Sequence, residues 1–155
     1  MRHLIFKLAL PLTIIIMAVF TKWWLVLPVD GGNTVMSGFP FPFIADGWHT
    51  SLSYQIFIIE FSADFFIQLI LWTLIVFLTD KYLLIIKIPK FLNIILWGMA
   101  IIISGLAVSI ASMPDQIIKL KRDWEIQEVL HSGYQFIWEE KPGQHQLFHH
   151  SKQIQ

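Results

Sequence analysis

Three long apolar runs dominate this sequence and limit the folds open to it. They cover residues 8–27, 54–79 and 91–112, and a helix needs about 20 predominantly apolar residues to cross the hydrocarbon core of a bilayer. Composition agrees, because 55% of the 155 residues are hydrophobic and only 14% are charged, whereas soluble domains carry about 25% charged residues. The sequence therefore predicts an all-α integral membrane protein with three transmembrane helices.

The runs divide the chain into a membrane domain and a C-terminal segment. Residues 1–113 are predicted to form the three-span domain, and residues 114–155 an extramembrane segment. The first run is interpreted as a signal anchor that stays in the protein, because residues 18–24 offer bulky side chains where a cleavage site needs small ones. In the C-terminal segment, the pattern predicts a helix over residues 115–130 without a clean apolar face. A short strand is predicted over residues 134–140, and it needs a pairing edge, which a partner could supply.

Lysine and arginine are distributed unevenly between the predicted loops. Residues 28–53 contain none, whereas basic residues flank the other ends of the spans: Arg2, Lys7, Lys81, Lys87 and Lys90. The positive-inside rule then places the N-terminus and residues 80–90 in the cytoplasm, with residues 28–53 and the C-terminal segment outside. Three basic residues after the third run favour the opposite side for the C-terminus: Lys119, Lys121 and Arg122. The prediction is a multi-pass protein of the plasma membrane, the inner membrane of a bacterium.

The loop between the first two runs is aromatic and rich in proline. Phe39, Phe41 and Phe43 alternate with two prolines, which favours an extended backbone because a residue before proline is pushed out of the α region. The loop is predicted to lie on the outer bilayer face or across the helix ends, with Trp48 in the aromatic belt. The alternative is an apolar groove or lid for a lipid, a quinone or a partner helix. These four aromatic residues are therefore candidate contact residues.

Glu60, Asp64 and Gln68 form a polar stripe within the second run. Their i, i+4, i+8 spacing confines them to an arc of about 80° on a helix, and a carboxylate inside a bilayer needs a partner, water or a proton. They are candidate ion- or proton-binding residues, with His49 from the preceding loop as a further candidate. Two structural alternatives stay open. Either the helix begins later and leaves a wet outer turn, or Lys22 neutralises one of the carboxylates.

Small residues follow two faces of the third run. The first face carries Gly98, Gly105, Ser109 and Ser112. The opposite face carries Ala100, Ser104, Ala107 and Ala111. Small side chains let helix backbones approach closely, which is how helices gain packing contacts in lipid. Two such faces predict two neighbouring helices, of which one can belong to this chain and the other to a second protomer or a different subunit. The alternative is packing only within a three-helix bundle.

The sequence lacks the residue patterns of most catalytic and metal-binding sites. It has no cysteine, which excludes disulfides, zinc–thiolate sites and iron–sulfur clusters, and its net charge of zero excludes nucleic-acid binding by bulk charge. It also lacks a glycine-rich phosphate loop and a nucleophile motif. His145 and His149 form an i, i+4 pair that could chelate a metal on a helix, but they lie in a predicted frayed tail. The sequence predicts no catalytic residue, no metal and no cofactor.

These observations predict a small integral membrane protein that acts as a non-catalytic subunit or assembly partner of a membrane complex. Its partners would be the lipid bilayer and either other membrane subunits or further copies of itself. The main alternative is an oligomeric ion or proton channel, or a transporter component, that uses Glu60, Asp64 and Gln68. A third hypothesis is a membrane enzyme that acts on a lipid or quinone through His49, Asp46 and the two carboxylates of the stripe.

Overall fold

The part of the chain that the structure describes combines three helices with a six-stranded sheet. The computed structural model describes residues 4–29, 31–47, 53–83, 88–136 and 138–139. The helices are α1 (Leu10–Val19), preceded by the π-helical turn Ile5–Ala9, α2 (Ile58–Leu78), continued by the π-helical turn Thr79–Leu83, and α3 (Lys90–Ala111). The strands are β1 (Phe20–Pro28), β2 (Thr34–Ser37), β3 (Ile44–Asp46), β4 (Tyr54–Phe57), β5 (Ile117–Lys119) and β6 (Ile126–Phe136).

The strands form one mixed sheet in the order β5-β4-β3-β2-β1-β6. Neighbouring strands pair antiparallel except β4 and β5, which pair parallel. The longest ladder joins β1 to β6, from Phe20 opposite Phe136 to Pro28 opposite Ile126, and it contains two register shifts. Bulges of this kind increase the local twist of a sheet, so they bend the sheet along this edge.

The prediction of an all-α fold with three membrane spans is wrong. The first apolar run is helical only as far as Val19, and Phe20–Pro28 forms strand β1 between β2 and β6. This strand is rich in aromatic and β-branched residues, which favour strands. A strand with neighbours on both sides is as continuously apolar as a membrane span, so the run alone could not separate the two. The remaining helix, Ile5–Val19 with its π-helical turn, is shorter than a membrane span.

Other predicted segments also contain strands. The second apolar run begins with strand β4, so α2 begins at Ile58 rather than near residue 54. The loop predicted over residues 28–53 contributes β2 and β3. The predicted helix over residues 115–130 is wrong, because this stretch contributes β5 and the start of β6. The short strand predicted near residue 134 is the end of β6, and its pairing edge is β1 of the same chain rather than a partner.

Two helices are long and apolar enough to cross a membrane. The helical stretch Ile58–Leu83 has a mean hydropathy of 2.0, and Lys90–Ala111 has a mean hydropathy of 2.4. Only 17% of the apolar window in the first and 6% in the second is buried inside the protein. An amphipathic helix of a soluble protein covers its apolar face with other elements, whereas most of the apolar surface of these two helices is uncovered in this chain. Helix α3 coincides within one residue with the third apolar run.

Helix α1 packs against both α2 and α3. Pro11 and Thr13 of α1 are buried, as is Ala9 in the preceding π-helical turn, and the Thr13 hydroxyl donates to the Ala9 carbonyl oxygen at 2.8 Å. The end of α1 continues directly into β1, and the end of β4 continues directly into α2. The end of α3 leads to β5. The sheet therefore lies at one end of the three helices, and the start of α1 and the connection from α2 to α3 lie at the other.

The core of the sheet is an apolar cluster with one residue from each of β1 to β4. These residues are Val26, Met36, Ala45 and Phe57, and all four are buried. Trp124, in the connection from β5 to β6, packs on the cluster with its ring 6.2 Å from that of Phe57. The connection therefore crosses the sheet over its core.

The connection from β5 to β6 also requires the sheet to curl. These strands are its two edges, and six flat strands would place them about 24 Å apart. Residues 120–125 must cover this distance, and a chain of this length reaches about 25 Å only when it is fully extended. The segment is bent instead, with the Arg122 side chain donating to the Trp124 carbonyl oxygen at 2.9 Å. The two edges therefore lie closer together than in a flat sheet, and the sheet curls around its core.

Candidate functional site

Residues 38–43, which connect β2 to β3, form what we call the Phe-Pro loop. Gly38 begins the loop with a φ of 149°. A Cβ atom at this position would collide with the Phe41 carbonyl oxygen, and glycine adopts such a backbone without the penalty that other residues pay. The Phe39–Pro40 peptide bond in the loop is cis. Gly38 is therefore required for the loop to leave β2 in this direction.

Two polar side chains of α2 hold the Phe-Pro loop by its backbone. Asp64 Oδ1 accepts a hydrogen bond from the Phe41 N–H at 2.8 Å, and Gln68 Nε2 donates to the Phe39 carbonyl oxygen, also at 2.8 Å. Both side chains are buried, Asp64 completely. They lie one turn apart on the face of α2 that meets the loop. The structure thus provides both residues with an intramolecular partner, the loop backbone.

Glu60 lies nearer the sheet than the other two residues of the polar stripe. It is in the first turn of α2, where a carboxylate is stabilised by the helix dipole, and its Oε1 faces the Arg122 N–H at 3.5 Å. Asp64 and Gln68 lie about 6 and 12 Å further along the helix. Glu60 Oε2 and Asp64 Oδ2 are buried and have no hydrogen-bond partner among the described residues. The stripe therefore contains one residue at the junction with the sheet and two beneath the loop.

An aromatic cluster lies beside the loop at the helix end of the sheet. We call it the aromatic collar, and its neighbouring ring centroids are 4.8–6.0 Å apart: Phe20, Phe39, Tyr134, Phe136 and Trp138. The Lys22 ammonium lies 3.7 Å from the centre of the Trp24 ring and 5.6 Å from that of Tyr134. Lys22 therefore makes cation–π contacts with these rings.

The salt bridge in the described part of the chain joins Lys119 Nζ to Asp123 Oδ2 at 2.6 Å. The hydrogen bond from Lys119 holds the pKa of the exposed Asp123 carboxyl below its usual value. Lys22, Glu60 and Asp64 take no part in a salt bridge among these residues. The expected alternative in which Lys22 neutralises a carboxylate of the stripe is therefore wrong.

The two small-residue faces of α3 have different surroundings. Ala100 is buried on the side where α1 packs, although Ser104 and Ala107 near it are exposed. On the other face, a Cβ atom added to Gly98 or Gly105 would have no atom within 4 Å. Ser109 and Ser112 on that face are exposed. One face therefore has a neighbour within this chain, and the other has open space beside its glycines.

An open apolar groove of about 400 Å³ runs between α1 and α3. Its lining residues are Ile14, Trp97, Ala100, Ile101, Ser104, Gly105 and Val108. The Trp97 indole N–H donates to the Phe6 carbonyl oxygen at 3.0 Å and ties α3 to the beginning of the first helical segment. This hydrogen bond holds the π-helical turn before α1 against α3 at one end of the groove. Gly105, which belongs to the open face of α3, also lines the groove.

No protein-family model, curated protein or solved structure matches this chain.

Several predicted site residues lie outside the described residues: His49, Trp48, His145 and His149. Of the predicted loop contacts, Phe41 is exposed, whereas Phe39 and Phe43 are half-buried. Asp46 pairs with Tyr54 at the end of β4 that is remote from α2, so the structure does not bring it together with Glu60 and Asp64. Within the described ranges, no group of three His, Asp or Glu side chains could hold a metal ion.

Sequence reasoning did not find how the Phe-Pro loop is attached to β1. The Trp24 indole N–H donates to the Gly38 carbonyl oxygen at 3.1 Å, and the Gly38 N–H donates to the Lys22 carbonyl oxygen at 2.9 Å. The available signal was the glycine directly before the Phe-Pro repeat, because an isolated glycine often indicates a special backbone position. That glycine indicates an unusual backbone position, but it does not indicate the attachment of the loop to β1. The attachment depends on the pairing of β1 with β2, which no local pattern shows.

Proposed function

We propose that this chain is a small integral membrane protein that serves as a non-catalytic assembly partner in a membrane complex. Helices α2 and α3 cross the bilayer, α1 packs against both, and the sheet lies on one side. The positive-inside rule favours the start of α1 and the α2–α3 connection in the cytoplasm. The sheet then lies outside the plasma membrane, which is the inner membrane of a bacterium. The other members of the complex are further membrane subunits or copies of this chain.

The observation that carries this proposal is the open face of α3. Gly98 and Gly105 present no side chain on this face, and no atom of this chain lies within 4 Å of a Cβ atom added at either. Small residues at such positions allow another helix to approach closely. The Ser109 and Ser112 hydroxyls donate within their own helix at 2.9 and 2.7 Å. The face therefore needs no polar partner, and a second helix would gain van der Waals contacts along it.

The alternative, an ion or proton channel, depends on the polar stripe of α2. The unpartnered oxygens of Glu60 and Asp64 favour an ion site there. The hydrogen bonds from Asp64 and Gln68 to the Phe-Pro loop favour a structural role. Asp64→Asn separates the two hypotheses, because a channel that uses this carboxylate would lose its flux, whereas the loop would keep an acceptor for its N–H.

A Gly105→Leu variant tests the proposed assembly role. Because no atom lies within 4 Å of a Cβ atom at this position, a side chain can begin here without a clash in the isolated protein. In a complex, the leucine would occupy the space that a partner helix enters. We expect the wild-type protein, extracted gently in its native lipid, to show the mass of a larger complex by native mass spectrometry. The variant is expected to fold and to lose the co-purifying chains.

Leu106→Phe is the matched control, because Leu106 is adjacent, 60% exposed and not part of the groove lining. This variant adds bulk to the same helix and should keep the complex. Extraction of the wild-type protein as a lipid-solvated monomer would contradict the proposal. So would a Gly105→Leu variant that keeps its partners.

A further inference from the structure

The Phe-Pro loop runs alongside the first three turns of α2. Phe43 packs on Phe61 of this helix with ring centroids 5.3 Å apart, and the loop is bonded further along the helix to Asp64 and Gln68. At 1.5 Å per residue, Gln68 lies about 15 Å from the start of α2. The loop therefore follows a helix that is apolar enough to cross a membrane, and it follows that helix away from the sheet.

The backbone of the loop has its hydrogen-bond partners inside the protein. Two of its six residues are prolines and have no N–H. Of the other four N–H groups, that of Gly38 donates to the Lys22 carbonyl oxygen, that of Phe41 to the Asp64 carboxylate and that of Phe43 to the Ser37 carbonyl oxygen. Three carbonyl oxygens of the loop also accept hydrogen bonds: those of Gly38, Phe39 and Phe43. Non-helical backbone at membrane depth is tolerated where protein groups satisfy it, and here they bind three N–H groups and three carbonyl oxygens of the loop.

The outward surface of the loop is apolar. Phe41 is 47% exposed, and residues 31–45 contain no charged side chain. Phe61, Phe66 and Ile67 are exposed on the adjoining part of α2. An exposed aromatic ring on a loop that bonds most of its N–H groups within the protein fits a hydrocarbon environment better than an aqueous one.

The aromatic collar adjoins the loop at Phe39, which belongs to both. Its Tyr134 and Trp138 are 60% and 69% exposed, and the Lys22 ammonium lies over the Trp24 and Tyr134 rings. Tryptophan, tyrosine and lysine are typical of the boundary between a bilayer and water. Phe39 and Phe41 are bonded to α2 about 12 and 6 Å beyond Glu60, in the direction away from the sheet.

We propose that the Phe-Pro loop is a re-entrant wedge that places Phe41 among the lipid acyl chains of the leaflet nearest the sheet. Asp64 and Gln68 make this insertion feasible, because they replace the water that the loop backbone would otherwise bind. The partner of this surface is the bilayer. The inference rests on the proposed membrane crossing of α2 and α3, and it is independent of the assembly contact at Gly105.

Spin labels on single cysteines test the wedge, because the sequence contains no cysteine of its own. Phe41→Cys, Ile102→Cys and Val29→Cys are labelled in turn in the full chain and reconstituted into phosphatidylcholine vesicles. The three wild-type side chains are comparably exposed, at 47%, 64% and 56%. Ile102 lies in the middle of α3, and Val29 lies about 30 Å along the strand from Phe20. Power saturation then compares collisions with oxygen, which concentrates in lipid, and with a nickel chelate, which stays in water.

We expect the label at Phe41 to collide more with oxygen than with the chelate, as the label at Ile102 does, and the label at Val29 to show the reverse. A Phe41 label that behaves like the Val29 label, with the Ile102 label in lipid, would overturn the wedge and leave the membrane crossing intact. A Phe41 label shielded from both reagents would indicate a protein contact and would also overturn the wedge. An Ile102 label that favours the chelate would contradict the membrane crossing itself, and the wedge with it.

Discussion

Asp64 and Gln68 show how polar side chains are accommodated in a helix of high hydropathy. Each makes its hydrogen bond to the backbone of the Phe-Pro loop, and each is buried. The bonds themselves stabilise the fold modestly, since a typical one contributes about 1 kcal/mol. Removing one partner is more costly, because the buried group that remains has lost both water and its bond.

Substitutions at Asp64 are expected to follow this difference. Asp64→Leu should lower the free energy of unfolding by about 1–3 kcal/mol, because the Phe41 N–H loses its acceptor. Asp64→Asn should have a smaller effect, because the amide oxygen can still accept that hydrogen bond. Denaturant unfolding in one detergent, followed by near-ultraviolet circular dichroism, measures both.

Ser62→Ala is the control on the same helix, because the Ser62 hydroxyl bonds to the Ile58 carbonyl oxygen of its own helix. We expect its effect to stay within about 0.5 kcal/mol. If Asp64→Asn destabilised the protein as much as Asp64→Leu, the negative charge rather than the acceptor would be required. That result would favour the ion-site hypothesis.

At the scale of elements, the ladder between β1 and β6 depends on a close fit between a large and a small residue. Trp23 lies opposite Gly133, and a Cβ atom on Gly133 would come within 2.9 Å of three indole atoms. The indole therefore packs directly on the glycine backbone. This contact joins two strands that are about a hundred residues apart in the chain.

Gly133→Ala is expected to destabilise the protein by about 1–3 kcal/mol, because the indole must move to admit the methyl group. The same unfolding measurement in detergent reports the change. Gly32→Ala is the matched control, since a Cβ atom at Gly32 would have no atom within 4 Å, and it should be close to neutral. Equal effects of the two substitutions would show that the Trp23 contact does not determine the stability of the ladder.

At the scale of the whole molecule, the connections between helices and sheet determine its two ends. The end of α1, the start of α2 and the end of α3 all join the sheet. If α2 and α3 cross a bilayer, the sheet and the α2–α3 connection must lie on opposite sides. The curled sheet then lies close to one face of the membrane, with the aromatic collar at the boundary.

Single cysteines at Val29 and Tyr82 test this sidedness, because their side chains are 56% and 70% exposed at opposite ends of the molecule. In intact spheroplasts, a membrane-impermeant maleimide is expected to label Val29→Cys. Tyr82→Cys should react only after permeabilisation. Labelling of both variants in intact spheroplasts would contradict the arrangement, and labelling of Tyr82→Cys alone would invert it.

Local composition was enough to locate α3, most of α2 and the shared face of Asp64 and Gln68. A long apolar helix and an i, i+4 spacing are properties of neighbouring residues, so they can be read without knowing the rest of the fold. The absence of cysteine chemistry is equally visible in the sequence. The aromatic and proline content of residues 38–43 likewise indicated a non-helical loop.

Pairing between strands that are far apart in the chain determined the rest of the fold. Residues 20–28 are a strand because β2 and β6 supply hydrogen bonds on both sides, and β6 lies about a hundred residues away. A strand with neighbours on both sides can be as continuously apolar as a membrane span. The first apolar run alone therefore does not distinguish a strand from a span. The partners of Asp64 and Gln68 were equally hidden, because they are backbone atoms of a loop. Backbone groups are the same in every sequence, so only the tertiary structure could show which of them these two side chains would meet.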